Sequence, residues 1–298
     1  MKIGIDLGGS HIGVGIINNG KIEYKVEKDL KQEEKGKDSI LELITKLVDG
    51  IIRESRIKKE KIEVIGIAFP GIVSEGLIEK SKNLQIEYIE LKKEMENKYP
   101  GIKIAVKNDA KSAALAEKKY GVLKEYKDAI MLTIGTGIGG AVFYNNELLK
   151  SKNSEGYELG HIIIQKDGKQ CSCGSRGCFE AYASISNLKK EIINTINTSK
   201  ELTGVEIVEI LKQKQGNTEK VLEEYINNLA IGIANLINIF EPQGIALGGS
   251  IVFYKELILE KLIDKLQKES YVFNKNAMPE ILMAELNNDA GMIGSTIS

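Results

Sequence analysis

Three features of this chain predict an α/β fold built from two related halves. Short apolar runs alternate with segments whose apolar residues recur at helical spacing. Strand pairs of hairpin character open each half. A glycine turn follows the first strand of each half, at Asp6-Leu7-Gly8-Gly9 and again at Gly135-Thr136-Gly137-Ile138-Gly139-Gly140. Together these predict a duplicated fold with a cleft between the halves.

Residues 3–5 and 13–17 read as hairpin strands around Asp6-Leu7-Gly8-Gly9-Ser10. Residues 38–55 carry Ile40, Ile44, Leu47, Val48 and Ile51 at helical spacing, with Asp38 or Ser39 as the expected cap. The run 64–68 ends in Pro70-Gly71, as a buried strand entering a turn does. A strand at 102–106 precedes a small-residue helix over 110–120, with Gly121 as its C′ residue. Strands follow at 129–134 and 141–144. The second half is more helical: a long amphipathic helix over 219–240 stops at Glu241-Pro242, then come a strand at 244–247 and a helix over 254–268.

With 298 residues, a net charge of −1 and ordinary apolar content, the chain has the make-up of a globular protein. That charge offers no global attraction for nucleic acid. No apolar run approaches the ~20 residues of a membrane span, and the first residues read as a strand rather than a signal peptide. These features predict a cytoplasmic protein with neither a membrane nor a nucleic-acid partner.

All three cysteines fall in Cys171-Ser-Cys173-Gly-Ser-Arg-Gly-Cys178, and His161, one of two histidines, lies ten residues upstream. Three thiolates and an imidazole make a complete tetrahedral zinc set; with no open position, the metal is expected to be structural. The competing reading is three unrelated buried thiols. No disulfide framework is evident, in keeping with a reducing compartment.

Gly135-x-Gly137-x-x-Gly140 matches the dinucleotide fingerprint only formally, because it leads into strand-forming Ala141-Val142-Phe143-Tyr144 rather than a helix. Glycine turns still let backbone amides converge on an anion. They recur after three strands, at Gly8-Gly9-Ser10, at Gly135 to Gly140 and at Gly248-Gly249-Ser250, so a nucleotide cleft is the better expectation. Asp6 beside the first turn is suited to a phosphate-bound Mg²⁺, or simply to initiating the turn.

Taken together, these residues resemble the ROK family (repressors, open reading frames and sugar kinases) of the actin-like ATPases, over nearly the whole chain. The resemblance rests on Asp6-Leu7-Gly8-Gly9-Ser10, Pro70-Gly71, Asn108-Asp109-Ala110, the Gly135 to Gly140 turn, Glu158-Leu159-Gly160-His161, the cysteine cluster with Glu180, and Gly248-Gly249-Ser250. The Glu-x-Gly-His motif combined with three cysteines is its most specific part.

The resemblance implies a two-lobed actin-like ATPase fold. Its small lobe would span 1–110 with the segment 290–298 packed back on it, and its large lobe 111–289. It implies an ATP-dependent hexose kinase that phosphorylates the 6-hydroxyl of glucose or a relative such as N-acetylglucosamine, mannose or fructose. Asp109 would be the catalytic base. Asn108, Glu158, His161 and Glu180 would join Asp109 in binding sugar hydroxyls. ATP would meet Asp6, Gly8, Gly9 and Ser10, then Gly135, Thr136, Gly137 and Gly139, with Gly248 and Gly249 near the adenosine. Mg²⁺ would accompany the ATP, and zinc would sit on His161, Cys171, Cys173 and Cys178, His161 facing the sugar with its other nitrogen. A homodimer is also implied.

Without the resemblance, Asn108 and Asp109 read equally as a helix cap, and Glu158 and Glu180 as surface acids. His11 carries no motif and reads as an incidental strand residue. The chain departs from the family in having Ser10 for threonine, and Asn146, Ser151 and Tyr157 where glycines are usual, which bears on the path of the sugar loop. The other functional readings are a sugar-responsive regulator, a catalytically silent sugar sensor, and an independent zinc module. The first glycine turn begins at Asp6, which leaves little room for a preceding DNA-binding domain; a zinc module leaves the glycine turns and Asn108-Asp109 unexplained.

Overall fold

A computed structural model describes residues 1–56, 59–151 and 157–297. In chain order the first elements are β1 (Lys2–Leu7), β2 (His11–Asn18), β3 (Lys21–Asp29), α1 (Lys37–Ser55), β4 (Val64–Phe69), β5 (Ile72–Ser74) and β6 (Leu77–Lys80). They continue with α2 (Leu91–Lys98), β7 (Lys103–Asn108), α3 (Asp109–Tyr120), β8 (Ala129–Ile134), β9 (Ile138–Tyr144) and β10 (Glu147–Leu148). The remainder is α4 (Glu180–Ala183), α5 (Ile185–Thr195), α6 (Gly204–Lys212), α7 (Thr218–Phe240), β11 (Gly244–Gly248), α8 (Lys255–Lys268), β12 (Glu280–Met283) and α9 (Ala290–Ser295).

The chain forms two compact units. The first is Met1–Lys124 with Leu148–Tyr157 and Leu286–Ser298, and the second is Glu125–Glu147 with Glu158–Glu285. The first unit therefore extends past residue 110 and takes in all of α3. The reason is packing between α3 and α9: a Cβ on Gly294 would lie 1.7 Å from the Ser112 carbonyl oxygen, so the helices approach at backbone contact. The C-terminal segment from Leu286 belongs to the first unit; Ser298 lies outside the described residues.

The first unit holds a five-stranded sheet of order β3-β2-β1-β4-β7. β1 runs antiparallel to β2 and parallel to β4, and β4 runs parallel to β7. β4 is buried at every position, as a central parallel strand should be. β3, KIEYKVEKD, is a charged, largely exposed edge that discourages pairing with other chains. The core beneath the sheet joins Ile3, Ile5 and Leu7 to Ile65, Ile67 and Phe69, and to Ile40, Ile44 and Val48 of α1.

The second unit repeats the pattern, with order β10-β9-β8-β11-β12. β8 is antiparallel to β9 and parallel to β11, and β11 is parallel to β12. Its core includes Ile130, Leu132, Ile245, Leu247 and the buried face of α7, among them Leu229, Ile233 and Leu236. The two sheets thus share one sequence of pairings, and the duplication suggested by the glycine turns extends to topology.

Several local expectations change. α1 begins at Lys37, with Gly36 at its N-cap (φ 107°) and no side-chain cap, so neither Asp38 nor Ser39 caps it. Gly121 follows α3 at φ −109°, outside the left-handed region. The space beside Gly121 is taken instead by Glu117, a fully buried carboxylate that accepts from the N–H groups of Val122 and Leu286. β9 begins at Ile138, three residues before the expected start, because Ile138 to Gly140 already pair with β8. Asn145 and Asn146 adopt φ 55° and 68°, a left-handed turn that asparagine tolerates. Among the described residues, no helix is long and apolar enough to cross a membrane.

Candidate active site and metal centre

In the first unit, the chemistry-bearing residues gather at the carboxyl ends of β1 and β7, the usual position for reacting groups in α/β sheets. Asp6 is next to last in β1 and pairs with Ala68; Ala68 and Phe69 pair with Lys107 and Asn108. One intervening strand, β4, therefore separates Asp6 from Asn108-Asp109, about 10 Å at ordinary strand spacing. The Asp6 carboxyl is pushed up to about 7, first by burial and then by the charges of Asp109, Asp289 and Glu27. Lys25 is bonded to Asp289 and Glu27, both at 3.1 Å.

This shift carries a pH signature. Unfolded Asp6 releases its proton near 3.8, folded Asp6 near 7, so between those values the folded chain holds an additional proton. Stability therefore falls as pH rises through that window. The non-ionising variant Asp6→Asn is expected to have a higher urea midpoint than the parent at pH 8 in the absence of divalent cations, with the difference closing below pH 4. An equal difference at both pH values would contradict the assignment.

Asn108 is both the last residue of β7 and the N-cap of α3. Its Oδ1 accepts the Lys111 N–H at 3.1 Å, and its Nδ2 donates to the Gly71 carbonyl at 3.0 Å. The capping role and the tie to Pro70-Gly71 are both real, and they fix where Asp109 sits. Asp109 opens α3, with Oδ1 accepting the Ala110 N–H at 2.8 Å. Two residues on, the buried Lys111 donates to the Tyr157 carbonyl at 3.0 Å. Lys111 was not foreseen, because a lysine on a small-residue helix normally reads as a solvated charge. Tyr157 is half-exposed; the residues between Ser151 and Tyr157 lie outside the described residues.

The first turn closes through the Gly8 N–H, which donates to the His11 carbonyl at 2.8 Å. Gly9 and Ser10 lie within that closed turn. His11 opens β2, exposed, with its ring beside Gly8.

In the second unit, the Gly135 N–H donates to the Gly137 carbonyl at 2.9 Å, which closes the turn ahead of β9 and leaves Thr136 and Gly137 at its tip. Gly139 falls within β9, opposite Thr133. Gly248 ends β11, and Gly249 begins a short 3-10 turn with φ 79°. Beside that turn opens a largely apolar cavity of about 440 Å³, lined by Lys189, Val205, Val208, Ser250, Phe253 and Tyr254. Its walls come from α5, α6 and the 3-10 turn, elements that only packing brings together.

Glu158, Leu159, Gly160 and His161 form one tight turn, in which the His161 N–H donates to the Glu158 carbonyl at 3.1 Å. The ligand atoms of His161, Cys171, Cys173 and Cys178 all lie within 4.8 Å of one another. Cys171 Sγ is 3.7 Å from His161 Nδ1, and Cys173 Sγ is 3.7 Å from Cys178 Sγ. Ligands about 2.3 Å from a central ion at the corners of a tetrahedron are about 3.7 Å apart. The four side chains therefore have both the chemistry and the spacing for zinc, and Nδ1 of His161 is the nitrogen turned to the cluster. Backbone donation from Ser175 and the Cys171 thiol lower Cys173 to about 7, while burial lifts Cys178 to about 12.

Glu180 lies against the glycine turn. Its Oε2 accepts the Ile138 N–H at 2.9 Å, and its Oε1 accepts from the Ser172 hydroxyl at 3.0 Å. A Cβ on Gly137 would lie 2.3 Å from Oε2, so glycine here makes room for the carboxylate. Gly137→Ala is expected to push the Glu180 carboxylate aside and break its bond to the Ile138 amide, at a cost of about 1 kcal/mol of stability, readable as a lowered urea midpoint. An unchanged midpoint would mean that the carboxylate is not held there.

These two units, each with the same strand order and its glycine turn, make the actin-like ATPase fold. The ROK family model matches residues 2–297, and the chain belongs to that family. A xylose repressor of Caldicellulosiruptor bescii is 29% identical over 285 residues, covering 91% of this chain and 71% of the repressor. A glucokinase of Thermotoga maritima is 29% identical over 317 residues, covering 98% and 95%. A crystal structure of a ROK family glucokinase from Streptomyces griseus in complex with glucose and AMPPNP superposes with a TM-score of 0.82 at 26% identity, covering 99% of this chain and 97% of that one. Enzymes and regulators both stand among its relatives.

Proposed function

We propose that this protein is an ATP-dependent hexose kinase transferring the γ-phosphate to the 6-hydroxyl of glucose or a related hexose. The observation that carries this reading is that Asp6 and Asp109 stand at the carboxyl ends of β1 and β7, on either side of β4 in one sheet. Asp109 is anchored through one oxygen at the start of α3, and its charge helps to hold the Asp6 carboxyl near 7. A sugar sensor needs hydrogen bonds to hydroxyls. A kinase also needs a carboxylate to take up the hydroxyl proton and a second one to help hold the metal that accompanies the phosphates. Likeness to the Streptomyces griseus and Thermotoga maritima glucokinases supports the same reading.

In this reading Asp109 orients the attacking hydroxyl and captures its proton late in the transfer, since a carboxylate is a weak base toward an alcohol. Asn108, Glu158, His161 Nε2 and Glu180 bond the remaining hydroxyls. Gly9 and Ser10, with Thr136 and Gly137, offer backbone N–H groups to the phosphates. The apolar cavity beside Gly249 and Ser250 accommodates the adenine, with Val205, Val208 and Phe253 against its faces. Asp6 would hold Mg²⁺ through water, and that cation would supply charge neutralisation on the phosphates. Zinc on His161, Cys171, Cys173 and Cys178 would be structural, with all four positions taken by protein.

The test is ADP release with ATP and Mg²⁺ across glucose, mannose, fructose, N-acetylglucosamine and N-acetylmannosamine. Turnover with one sugar strongly preferred is expected. Sugar binding without ADP release on any of them would sink the kinase reading and favour a regulator, in line with the likeness to the Caldicellulosiruptor bescii xylose repressor.

A further inference from the structure

Glu180 joins two loops that are far apart in sequence. Ser172, between the ligands Cys171 and Cys173, donates to one of its oxygens, and Ile138, directly after Gly137, donates to the other. The Ile138 carbonyl in turn lies against Gly160, within the turn that carries Glu158 and His161. Cys171 Sγ stands 3.8 Å from the Glu180 oxygen that Ser172 bonds. Thus one carboxylate touches the cysteine loop and the glycine turn, and the residue it bonds also abuts the Glu158–His161 turn.

We propose that Ser172 is a positioning residue: its hydroxyl and the Ile138 amide clamp the Glu180 carboxylate from both ends, so that the order of the cysteine loop is passed to the glycine turn and to the sugar-facing edge of Glu180. The physical basis is torsional. The terminal torsion of a glutamate is broad, and a single acceptor bond leaves the second oxygen free to swing. Donors on both oxygens define the carboxylate plane, and bonds to an ionised acceptor are the stronger class. A carboxylate has about four lone-pair sites, so two protein donors leave capacity for a sugar hydroxyl. The kinetic consequence rests on the reading that Glu180 binds the sugar; the clamp itself does not.

The test uses the full chain in its zinc-loaded form, with Ser172→Ala, Ser172→Thr and Glu180→Gln. Ser172→Ala is expected to raise the sugar KM by about fivefold, a lost bond of ordinary strength, with kcat within twofold. Its zinc content should be unchanged, because Ser172 is not a ligand. Hydrogen exchange at the Ile138 amide should accelerate several-fold, and Ser172→Thr, which keeps the hydroxyl, should restore both readouts. In the Glu180→Gln background, Ser172→Ala should add little, since the two act as one unit. Unchanged Ile138 exchange in Ser172→Ala overturns the clamp whatever the kinetics show, as does a Ser172 effect that persists in full without the Glu180 charge. Faster Ile138 exchange together with a Glu180→Gln variant of normal sugar KM keeps the clamp, and removes Glu180 from the sugar contacts instead.

Discussion

Asp109→Asn is expected to lower kcat by about 10²–10⁴-fold while leaving the sugar dissociation constant within a few-fold of the parent. Asparagine keeps the size of the side chain and an oxygen that can accept the Ala110 N–H, so the start of α3 should survive. What it loses is the ability to take up the hydroxyl proton. The variant has an internal control, because the Asp109 charge is one of the causes that raise the Asp6 carboxyl. Removing it should lower the Asp6 value and shift the pH window of stability downward. Near-normal turnover would remove Asp109 from the role of base. Lost turnover together with lost sugar binding and an unmoved Asp6 would point to local unfolding instead. Single-turnover kinetics, sugar titration and urea midpoints at several pH values separate these outcomes.

The second large effect is expected for Cys173→Ser. A serine hydroxyl stays neutral at any working pH, whereas the Cys173 thiol is already inclined to ionise near 7 and is exposed enough to be replaced without opening a core. Zinc content should fall from about one equivalent to a small fraction, because metal affinity depends on deprotonated ligands. Loss of the metal frees the loop on which His161, Ser172 and Glu180 depend, so the sugar KM should rise by about tenfold or more, in the range seen when support around a metal site is removed. Zinc retained at full occupancy would show that Cys173 is not a ligand. Zinc lost with sugar affinity intact would break the proposed link between metal and pocket.

Much of this architecture is legible before any coordinates. Apolar runs such as Val64-Ile65-Gly66-Ile67-Ala68 and the spacing of Ile40, Ile44 and Val48 dictate strand and helix, because one face or both must be buried. The cysteine cluster is legible because three thiols and a histidine so close in sequence have few other uses. Elements stabilised mainly by their neighbours are harder to see. β3 alternates Ile22, Tyr24 and Val26 with lysines and glutamates, but even these three stay at least partly exposed, and it is β2 that supplies the strand's pairing. The cap of α1 was misplaced because Asp38 and Ser39 have suitable side chains, yet the chain already turns at Gly36.

Sequence alone determined the fold class, the duplicated glycine turns and the four metal-type ligands, because each depends on local composition or short spacing. Tertiary structure decided that α3 belongs with the first unit, where Gly294 lets α9 meet Ser112 at backbone distance. It also decided that Glu180, which the sequence offers either as a sugar contact or as a surface acid, bonds Ile138, 42 positions away along the chain. Gly137, with no side chain, leaves the space which that carboxylate occupies. Such contacts join residues whose separation along the chain bears no relation to their distance in space, and only packing brings them together.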